Sequence, residues 1–193
     1  MEHDYLPVSW EEYHSLAQKL ASSILSHPKR DQEIIAISRG GLTLGHMLSD
    51  LLRLPIATIT IQSYTDIQTQ GSIRVTGKLH TSIAGKRILL VDDVADSGRT
   101  LIRARTYLKK FHPKDISTVT MFYKPRSVVR PDYFAQKTTK WILFPYEPTE
   151  MIFLITKSLE KSGKTKAHIQ KFLENLNYTD EQIRFVRENH YSK

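Results

Sequence analysis

Three acidic residues stand close together in the segment RILLVDDVADSGRT, which spans residues 87–100. Asp92 and Asp93 are adjacent and follow an apolar run that is typical of a buried strand, and Asp96 comes shortly after them. A turn of small residues then leads into a pattern that predicts a helix over 100–111. Carboxylates beside a helix N-terminus are suited to a ligand that carries both hydroxyl groups and an anion.

The carboxylates and the backbone amides of this turn must serve different parts of a ligand, because like charges repel. The amides suit a phosphate, whereas the carboxylates suit hydroxyl groups or a metal ion. A sugar phosphate supplies both kinds of group, and Mg²⁺ commonly accompanies phosphates while bound to a carboxylate and several waters. The segment therefore predicts a site for a phosphorylated sugar and Mg²⁺.

Apolar runs of strand length alternate with helical patterns through most of the chain. The capping box of Ser9 and Glu12 predicts the start of a helix over 10–26. The other predicted elements are strand 33–38, helix 42–52, strand 56–61, strand 87–91, helix 100–111, strand 116–123 and strand 140–145. This alternation predicts an α/β fold with a parallel sheet flanked by helices. Ligands of such sheets bind beyond the carboxyl ends of the strands, where Asp92 and Asp93 stand.

Two further segments extend this plan. Residues 62–82 are polar, contain Gly71 and Gly77, and predict a long loop that serves as a flexible lid. Near the C-terminal end, capping residues and apolar stripes predict three short helices. We expect the main domain to span 1–148 and a helical C-terminal extension to span 149–193.

The composition of the 193 residues narrows the classes of function. The chain has no cysteine, which excludes disulfides, thiolate nucleophiles and cysteine-based metal sites. The sequence shows no secretory signal pattern, and its longest apolar run, MIFLI at 151–155, is far shorter than a membrane span. We expect a cytoplasmic protein with no membrane partner.

The formal net charge of +8 is compatible with a nucleic acid or with a phosphorylated small molecule. Up to Glu150 there are 20 Lys and Arg against 15 Asp and Glu, and after it 8 against 5. The positive charge is therefore spread along the chain and not gathered in one basic arm. This distribution argues against a nucleic-acid partner.

Three other interpretations of the acidic segment fit less well. A Walker-B strand requires a Walker-A motif, and SLEKSGKT at 158–165 has Ser158 in the place of the first glycine and follows a predicted helix. A receiver-type acidic pocket requires another acid at a second strand end, where this chain has Ser38 and Arg39. The third interpretation is a purely structural one, in which the strand end is polar and Asp96 caps the next helix. It gives Asp92 and Asp93 no role.

The motif ILLVDDVADSGRTL at 88–101 resembles the signature with which type I phosphoribosyltransferases bind 5-phosphoribosyl diphosphate (PRPP). SRGG at 38–41 resembles the pyrophosphate loop of that family. FYKP at 122–125 and WILFPYE at 141–147 resemble base-binding segments of its 6-oxopurine members, especially the xanthine–guanine type. The resemblance covers about residues 5–147 and implies the type I phosphoribosyltransferase fold.

The resemblance implies how PRPP and Mg²⁺ are bound. Asp92 and Asp93 would hold the ribose hydroxyls, with Asp93 also near Mg²⁺. Arg39 and Gly40 would face the pyrophosphate, across a peptide bond that is often cis in the family. The 5′-phosphate would bind to the backbone and hydroxyls of the turn formed by Ala95, Asp96, Ser97, Gly98, Arg99 and Thr100.

The resemblance also implies the catalytic and base-binding residues. Asp96 would accept or share the proton at purine N7, and Arg39 would neutralise the leaving pyrophosphate. Lys124 would donate to the O6 carbonyl of the base, Trp141 would stack on the ring, and the backbone of Ile142 would meet the 2-position. The implied reaction moves the 5-phosphoribosyl group from PRPP to hypoxanthine, guanine or xanthine in purine salvage.

Two alternatives remain open, namely a phosphoribosyltransferase for another base and a regulator of the same fold that senses PRPP or nucleotides and binds nucleic acid. Lys124 and Trp141 favour the enzyme, because a regulator has no need of a base pocket. The lid departs from the xanthine–guanine type, since Gln70 stands where an arginine is expected. Arg74 and Lys78 are therefore the candidates for the PRPP contact of the lid. A homodimer or homotetramer is usual in the family.

Overall fold

The computed structural model describes residues 4–28, 30–63 and 73–191. The chain forms two compact units. One unit combines the residues up to Tyr13 with those from Lys140 onward, and the other runs from His14 to Thr139. The predicted division of the chain at residue 148 stays a prediction.

The described residues contain eight strands and six helices. The strands are β1 (Tyr5–Pro7), β2 (Glu33–Ser38), β3 (Ile56–Ser63), β4 (Ile73–Gly77), β5 (Arg87–Ala95), β6 (Asp115–Tyr123), β7 (Tyr133–Lys137) and β8 (Trp141–Leu143). The helices are α1 (Trp10–Ser26), α2 (Gly41–Leu52), α3 (Arg99–Lys109), α4 (Pro148–Lys161), α5 (Lys166–Asn175) and α6 (Asp180–His190). No helix in this described part of the chain is long and apolar enough to cross a membrane.

The predicted first helix is confirmed at both ends, because α1 begins at Trp10 and ends at Ser26. The hydroxyl of Ser9 accepts a hydrogen bond from the backbone N–H of Glu12 at 3.1 Å, as expected for an N-cap. The apolar positions that predicted this helix are buried, namely Tyr13, Leu16, Ala17, Leu20 and Ile24. Local capping and helical periodicity therefore determine this element.

The unit from His14 to Thr139 contains a six-stranded sheet in the order β4-β3-β2-β5-β6-β7. The strands from β3 to β7 in this order run parallel, and β4 pairs with β3 in the antiparallel direction. Ile35 and Ile37 of β2 pack in one cluster with Leu101 of α3, whereas Ala36 between them lies against Gly45 of α2. Both faces of β2 are thus covered, which explains its continuous apolar sequence and confirms the predicted fold class.

The predicted long loop over 62–82 is wrong at residues 62–63 and 73–77, whereas residues 78–82 form no strand or helix. Gln62 and Ser63 complete β3, and residues 73–77 form the edge strand β4. One face of an edge strand in this position is open to solvent, so Arg74 is exposed while Val75 is partly buried, and no apolar run marks the strand. Residues 64–72, which include Gln70 and the centre of the predicted lid, lie outside the described residues.

Two further strand predictions need correction, and one strand of the central sheet was not predicted. The strand predicted over 87–91 continues to Ala95, so Asp92 and Asp93 belong to its last residues. The strand predicted over 140–145 is limited to β8, which pairs with β1 and not with the central sheet. The central sheet instead ends in β7, whose residues are only partly buried and therefore lack a strong apolar pattern.

In the other unit, β1 and β8 form a parallel pair in which Tyr5 is opposite Trp141. The three predicted C-terminal helices are confirmed as α4, α5 and α6. The capping box of Thr179 and Gln182 is present at the start of α6. The apolar faces of α4, α5 and α6 form one cluster with Leu143 of β8. Its buried members include Met151, Ile152, Ile155, Ile169, Leu173, Ile183 and Val186.

Candidate active site

A cavity of about 280 Å³ lies at the carboxyl ends of β2 and β5 in the unit from His14 to Thr139. Eight of the predicted PRPP-binding residues line it, namely Arg39, Gly40, Asp92, Asp93, Asp96, Ser97, Gly98 and Thr100. They meet because β2 and β5 are neighbouring parallel strands that end at the same edge of the sheet. Ala95 and Arg99 do not line the cavity, since Ala95 is buried in the core and Arg99 is exposed on α3.

The adjacent carboxylates of Asp92 and Asp93 differ in their environments. Asp92 is buried, with 7% of its surface exposed, and Asp93 is half-buried. Burial and the neighbouring charge of Asp93 raise the pKa of the Asp92 carboxyl well above its ordinary value. The backbone N–H of Asp93 donates to Oδ1 of Asp92 at 3.1 Å, and that of Val94 donates to Oδ1 of Asp93 at 2.6 Å. Backbone N–H groups therefore orient both carboxyl groups. The buried carboxyl of Asp92 favours a ligand group that donates a hydrogen bond to it.

The loop after β2 approaches these carboxylates closely. A cis peptide bond is present in this loop at Ser38–Arg39, one bond before the Arg39–Gly40 peptide for which the resemblance implied it. A Cβ atom added at Gly40 would overlap the side chain of Asp93, so only glycine fits at this position without a shift. The hydroxyls of Ser38 and Thr60 lie 2.8 Å apart and link the end of β2 to the interior of β3.

The turn between β5 and α3 depends on Gly98. This residue has a φ of +76°, in the left-handed region that favours glycine, and it directly precedes the helix. A Cβ atom there would overlap the hydroxyl of Ser127 and the side chain of Val129. Gly98 is the N-cap residue of α3, and the hydroxyl of Ser97 accepts a hydrogen bond from the N–H of Arg99 at 3.4 Å, so the alternative role of Asp96 as the N-cap is wrong. The first turn of α3 leaves backbone N–H groups for an anion beside the cavity.

Asp96 is bonded to two basic residues from the loop after β6. Its Oδ2 accepts a hydrogen bond from Nζ of Lys124 at 3.2 Å. Its Oδ1 accepts one from Nε of Arg126 at 2.5 Å and also contacts Nη2 of that residue. The Lys124 side chain is buried, whereas 67% of the Arg126 side chain is exposed. Two residues predicted to bind the same base are thus in contact within one unit.

Arg126 was not among the residues predicted from the sequence. Its signal in the sequence is a second basic residue two positions after Lys124, at the end of a predicted strand. Such a residue is usually a solvated surface side chain, and only the folded loops show its contact with Asp96.

Two predicted base-binding residues lie on β8, in the other unit. Trp141 is half-exposed, and its backbone N–H donates to the carbonyl of Asp4 at 2.8 Å. Ile142 is buried and stands opposite Leu6 of β1. Their roles toward a base stay predictions.

The cavity has the chemistry of a site for a phosphorylated sugar, because paired carboxylates that suit hydroxyls lie beside the N-terminus of a helix that suits a phosphate. Residues 9–150 match the family described as the phosphoribosyl transferase domain. The chain belongs to this family, which confirms both the resemblance to type I phosphoribosyltransferases and the predicted fold class. The protein is therefore an enzyme of the phosphoribosyltransferase class.

Solved structures support the same assignment. A purine phosphoribosyltransferase from Pyrococcus horikoshii Ot3 superposes with a TM-score of 0.69 and 31% sequence identity, over 75% of this chain and 95% of that one. The xanthine-guanine-hypoxanthine phosphoribosyltransferase of Helicobacter pylori superposes with a TM-score of 0.65 and 25% identity, over 74% of this chain and 94% of that one.

Proposed function

We propose that the protein transfers the 5-phosphoribosyl group from PRPP to N9 of a 6-oxopurine and releases pyrophosphate. Hypoxanthine, guanine and xanthine are the candidate bases, and purine salvage is the process served. The observation that carries this proposal is the contact of Asp96 with Lys124 at the edge of the cavity. The two similar structures act on purines by name, which supports the same class of base.

The Asp96–Lys124 pair suits one edge of a 6-oxopurine. That edge carries the O6 carbonyl, which accepts a hydrogen bond, next to N7. The Lys124 ammonium would donate to O6, and the Asp96 carboxylate would accept the proton of N7. Adenine presents a donor amino group in the place of O6 and so would not satisfy the Lys124 ammonium. For β8 the proposal keeps the roles that the resemblance implies, namely Trp141 as a residue that stacks on a base and the Ile142 backbone as a contact of its 2-position.

PRPP would occupy the cavity between the two loops. Asp92 and Asp93 would accept hydrogen bonds from the ribose hydroxyls, which explains why a buried carboxylate is present at Asp92. The turn from Ala95 to Thr100 would bind the 5′-phosphate through backbone N–H groups and the hydroxyls of Ser97 and Thr100. Arg39 and Gly40 would face the pyrophosphate.

In the proposed reaction the bond from C1 of the ribose to the pyrophosphate oxygen breaks and a bond from C1 to N9 forms. The pyrophosphate leaves with the electron pair, and the proton on N7 passes to Asp96. No covalent intermediate with the protein is required, so the chain acts by orienting the reactants and stabilising charge. The Arg39 side chain would neutralise charge on the leaving group, and exclusion of water would protect PRPP from hydrolysis.

Mg²⁺ is the cofactor that we propose, with Asp93 near it. The described residues contain no group of three or more acidic, histidine or cysteine side chains that could hold a metal ion. The adjacent oxygen donors of Asp92 and Asp93 nevertheless fit Mg²⁺, which keeps several waters and takes few protein ligands beside a phosphorylated substrate. When bound, Mg²⁺ would neutralise negative charge on the pyrophosphate.

We also propose a cytoplasmic location and a homodimer or homotetramer, as the family resemblance implies. We propose no nucleic-acid or membrane partner. We propose that residues 149–193 form a helical extension of the transferase domain, which spans residues 1–148.

The proposal is tested by pyrophosphate release from PRPP and Mg²⁺ in separate reactions with hypoxanthine, guanine, xanthine, adenine and orotate. We expect turnover with at least one 6-oxopurine, and strong loss of that turnover in Asp96→Asn. Lys124→Met should lower kcat/KM for the 6-oxopurine by at least about tenfold, since a charge-assisted hydrogen bond is lost. Lys109→Met, at the exposed end of α3, is the matched control and should retain activity.

Preferred turnover of adenine or orotate would establish a phosphoribosyltransferase for another base. No turnover with any base, together with retained PRPP or nucleotide binding, would instead favour the regulator. In that case a salt-dependent affinity for RNA or DNA would support nucleic-acid binding.

A further inference from the structure

Arg126 is a second cation on the Asp96 carboxylate, opposite the Lys124 ammonium. The Nε atom of Arg126 lies 2.5 Å from Oδ1 of Asp96, and Nη2 contacts the same oxygen. The Nζ atom of Lys124 lies 3.2 Å from the other oxygen, Oδ2. Each carboxylate oxygen thus has its own cationic donor. A base that delivers a proton to one of these oxygens weakens the hydrogen bond that this oxygen accepts from its cationic donor.

Lys124 is the donor with an alternative acceptor in the proposed function. Its ammonium can exchange Oδ2 of Asp96 for the O6 carbonyl of the base, and this exchange frees Oδ2 for the N7 proton. Arg126 has no acceptor assigned on the base, so it remains on Oδ1. After the exchange, Arg126 is the basic residue that still pairs with the Asp96 carboxylate.

The backbone holds Arg126 opposite Asp96. The N–H of Lys124 donates to the carbonyl of Ala95 at 3.0 Å, and the N–H of Val128 donates to the carbonyl of Ser97 at 3.0 Å. Asp96 lies between the two acceptor residues, and Arg126 lies between the two donor residues. The loop after β6 and the turn after β5 are therefore joined on both sides of the contact between the two side chains. This bracing places the guanidinium against the carboxylate before any base arrives.

We infer that Arg126 is a positioning residue that keeps the Asp96 carboxylate oriented and paired with a positive charge while Lys124 moves to the base. The inference rests on the proposed function. A guanidinium suits this task because it donates from two nitrogen atoms in a fixed plane, whereas a lysine donates from a single point charge. Since 67% of the Arg126 side chain is exposed, solvent screens the pair and its loss lowers activity without abolishing it.

The test compares steady-state kinetics of the wild type with those of Arg126→Gln, Arg126→Lys and Arg130→Gln. Arg130 is the matched control, because it is an exposed arginine of the same loop that stacks on Phe134. We expect Arg126→Gln to lower kcat/KM for the 6-oxopurine by about tenfold, the range of one charge-assisted hydrogen bond. KM for PRPP should stay within about twofold. Arg126→Lys should restore part of the loss, and Arg130→Gln should resemble the wild type.

A second series places Arg126→Gln in an Asp96→Asn background. If Arg126 acts through Asp96, the added substitution has little further effect in that background. An equal loss in both backgrounds, a loss confined to KM for PRPP, or an effect no larger than that of Arg130→Gln would each overturn the inference. A wild type that fails to turn over any base would instead show the failure of the proposed function, and the inference would fall with it.

Discussion

Gly40 lies directly against the carboxylate of Asp93, although the two residues belong to different strand ends of the sheet. A Cβ atom at residue 40 would overlap all three terminal atoms of the Asp93 side chain. The cavity that eight predicted PRPP-binding residues line therefore has its present shape because residue 40 has no side chain. This close approach makes residue 40 sensitive to the smallest substitution.

Gly40→Ala should impair PRPP binding. The added methyl group must displace the Asp93 carboxylate or the loop, and both are proposed to contact PRPP. We expect KM for PRPP to rise by about tenfold, because a displaced polar contact costs about 1–3 kcal/mol. Steady-state kinetics with varied PRPP measure this change. Gly85→Ala is the control for KM, because its added Cβ atom meets open space, although its left-handed φ of +72° makes alanine costly for the backbone. An unchanged KM for PRPP in Gly40→Ala would contradict the prediction.

Gly98→Ala should destabilise the fold more than Gly163→Ala. Both glycines have a left-handed φ, +76° and +72°. A Cβ atom at Gly163 meets open space, whereas one at Gly98 overlaps Ser127 and Val129. The shared backbone penalty is about 1–2 kcal/mol. Overlap in a packed environment should add about 1–3 kcal/mol for Gly98→Ala. Chemical denaturation measures the free energy of unfolding of both variants. Equal losses would contradict the prediction, because they would show that the loop around Ser127 moves without cost.

Asp31→Asn should raise Tm at neutral pH. Burial, followed by the charge of Asp115, raises the pKa of the Asp31 carboxyl in the folded protein. A raised folded pKa means that ionised Asp31 opposes folding above that pKa, and this cost disappears as pH falls below the unfolded value of about 3.9. The gain in Asp31→Asn should therefore be present at pH 7 and absent near pH 3. Thermal melting across this range tests the sign, and a lower Tm at pH 7 would refute it. Asp115→Asn should also raise Tm at pH 7, because it removes the negative charge that repels ionised Asp31.

Leu173→Ala should destabilise the unit that contains the C-terminal helices. Leu173 is fully buried in the cluster with Leu143 of β8, so the substitution leaves a cavity. The expected cost is about 2–4 kcal/mol of unfolding free energy. Phe185→Ala is the control, because Phe185 is half-exposed on α6 and its loss should cost no more than about 0.5 kcal/mol. Comparable effects of the two variants in denaturant unfolding would argue against a shared core.

The elements that could be predicted from the sequence are of two kinds. They are strands buried on both faces and helices that begin at a capping residue. The apolar runs of β2 and β5 and the capping box at Ser9 are of these kinds. Partly exposed strands were not predicted. The residues of β4 were assigned to a loop, and β7 was not assigned to any element. The reason is that a strand with one solvated face has a weak apolar pattern. The pairing of β8 with β1 was missed for another reason, since residues distant in sequence reveal no pairing through their local spacing.

The same distinction holds for the site. The motif that contains Asp92, Asp93 and Asp96 is continuous, so its residues reach one cavity by local geometry alone. The contact of Arg126 with Asp96 joins two separate loops and depends on the pairing of β5 with β6. No local spacing encodes such a contact. Residues 64–72 lie outside the described part, and the PRPP contact of the lid stays a prediction.

The parallel pairing of β1 with β8 has a consequence for synthesis of the chain on the ribosome. Tyr5 is made early, but its partner Trp141 emerges only after the six strands of the central sheet have been translated. Because domains fold as units while translation proceeds, the central sheet can assemble while β1 is still unpaired. We expect β1 to remain accessible to chaperones or proteases until β8 and the C-terminal helices are released. The pairing of β1 with β8 is therefore expected to form after the central sheet has been translated.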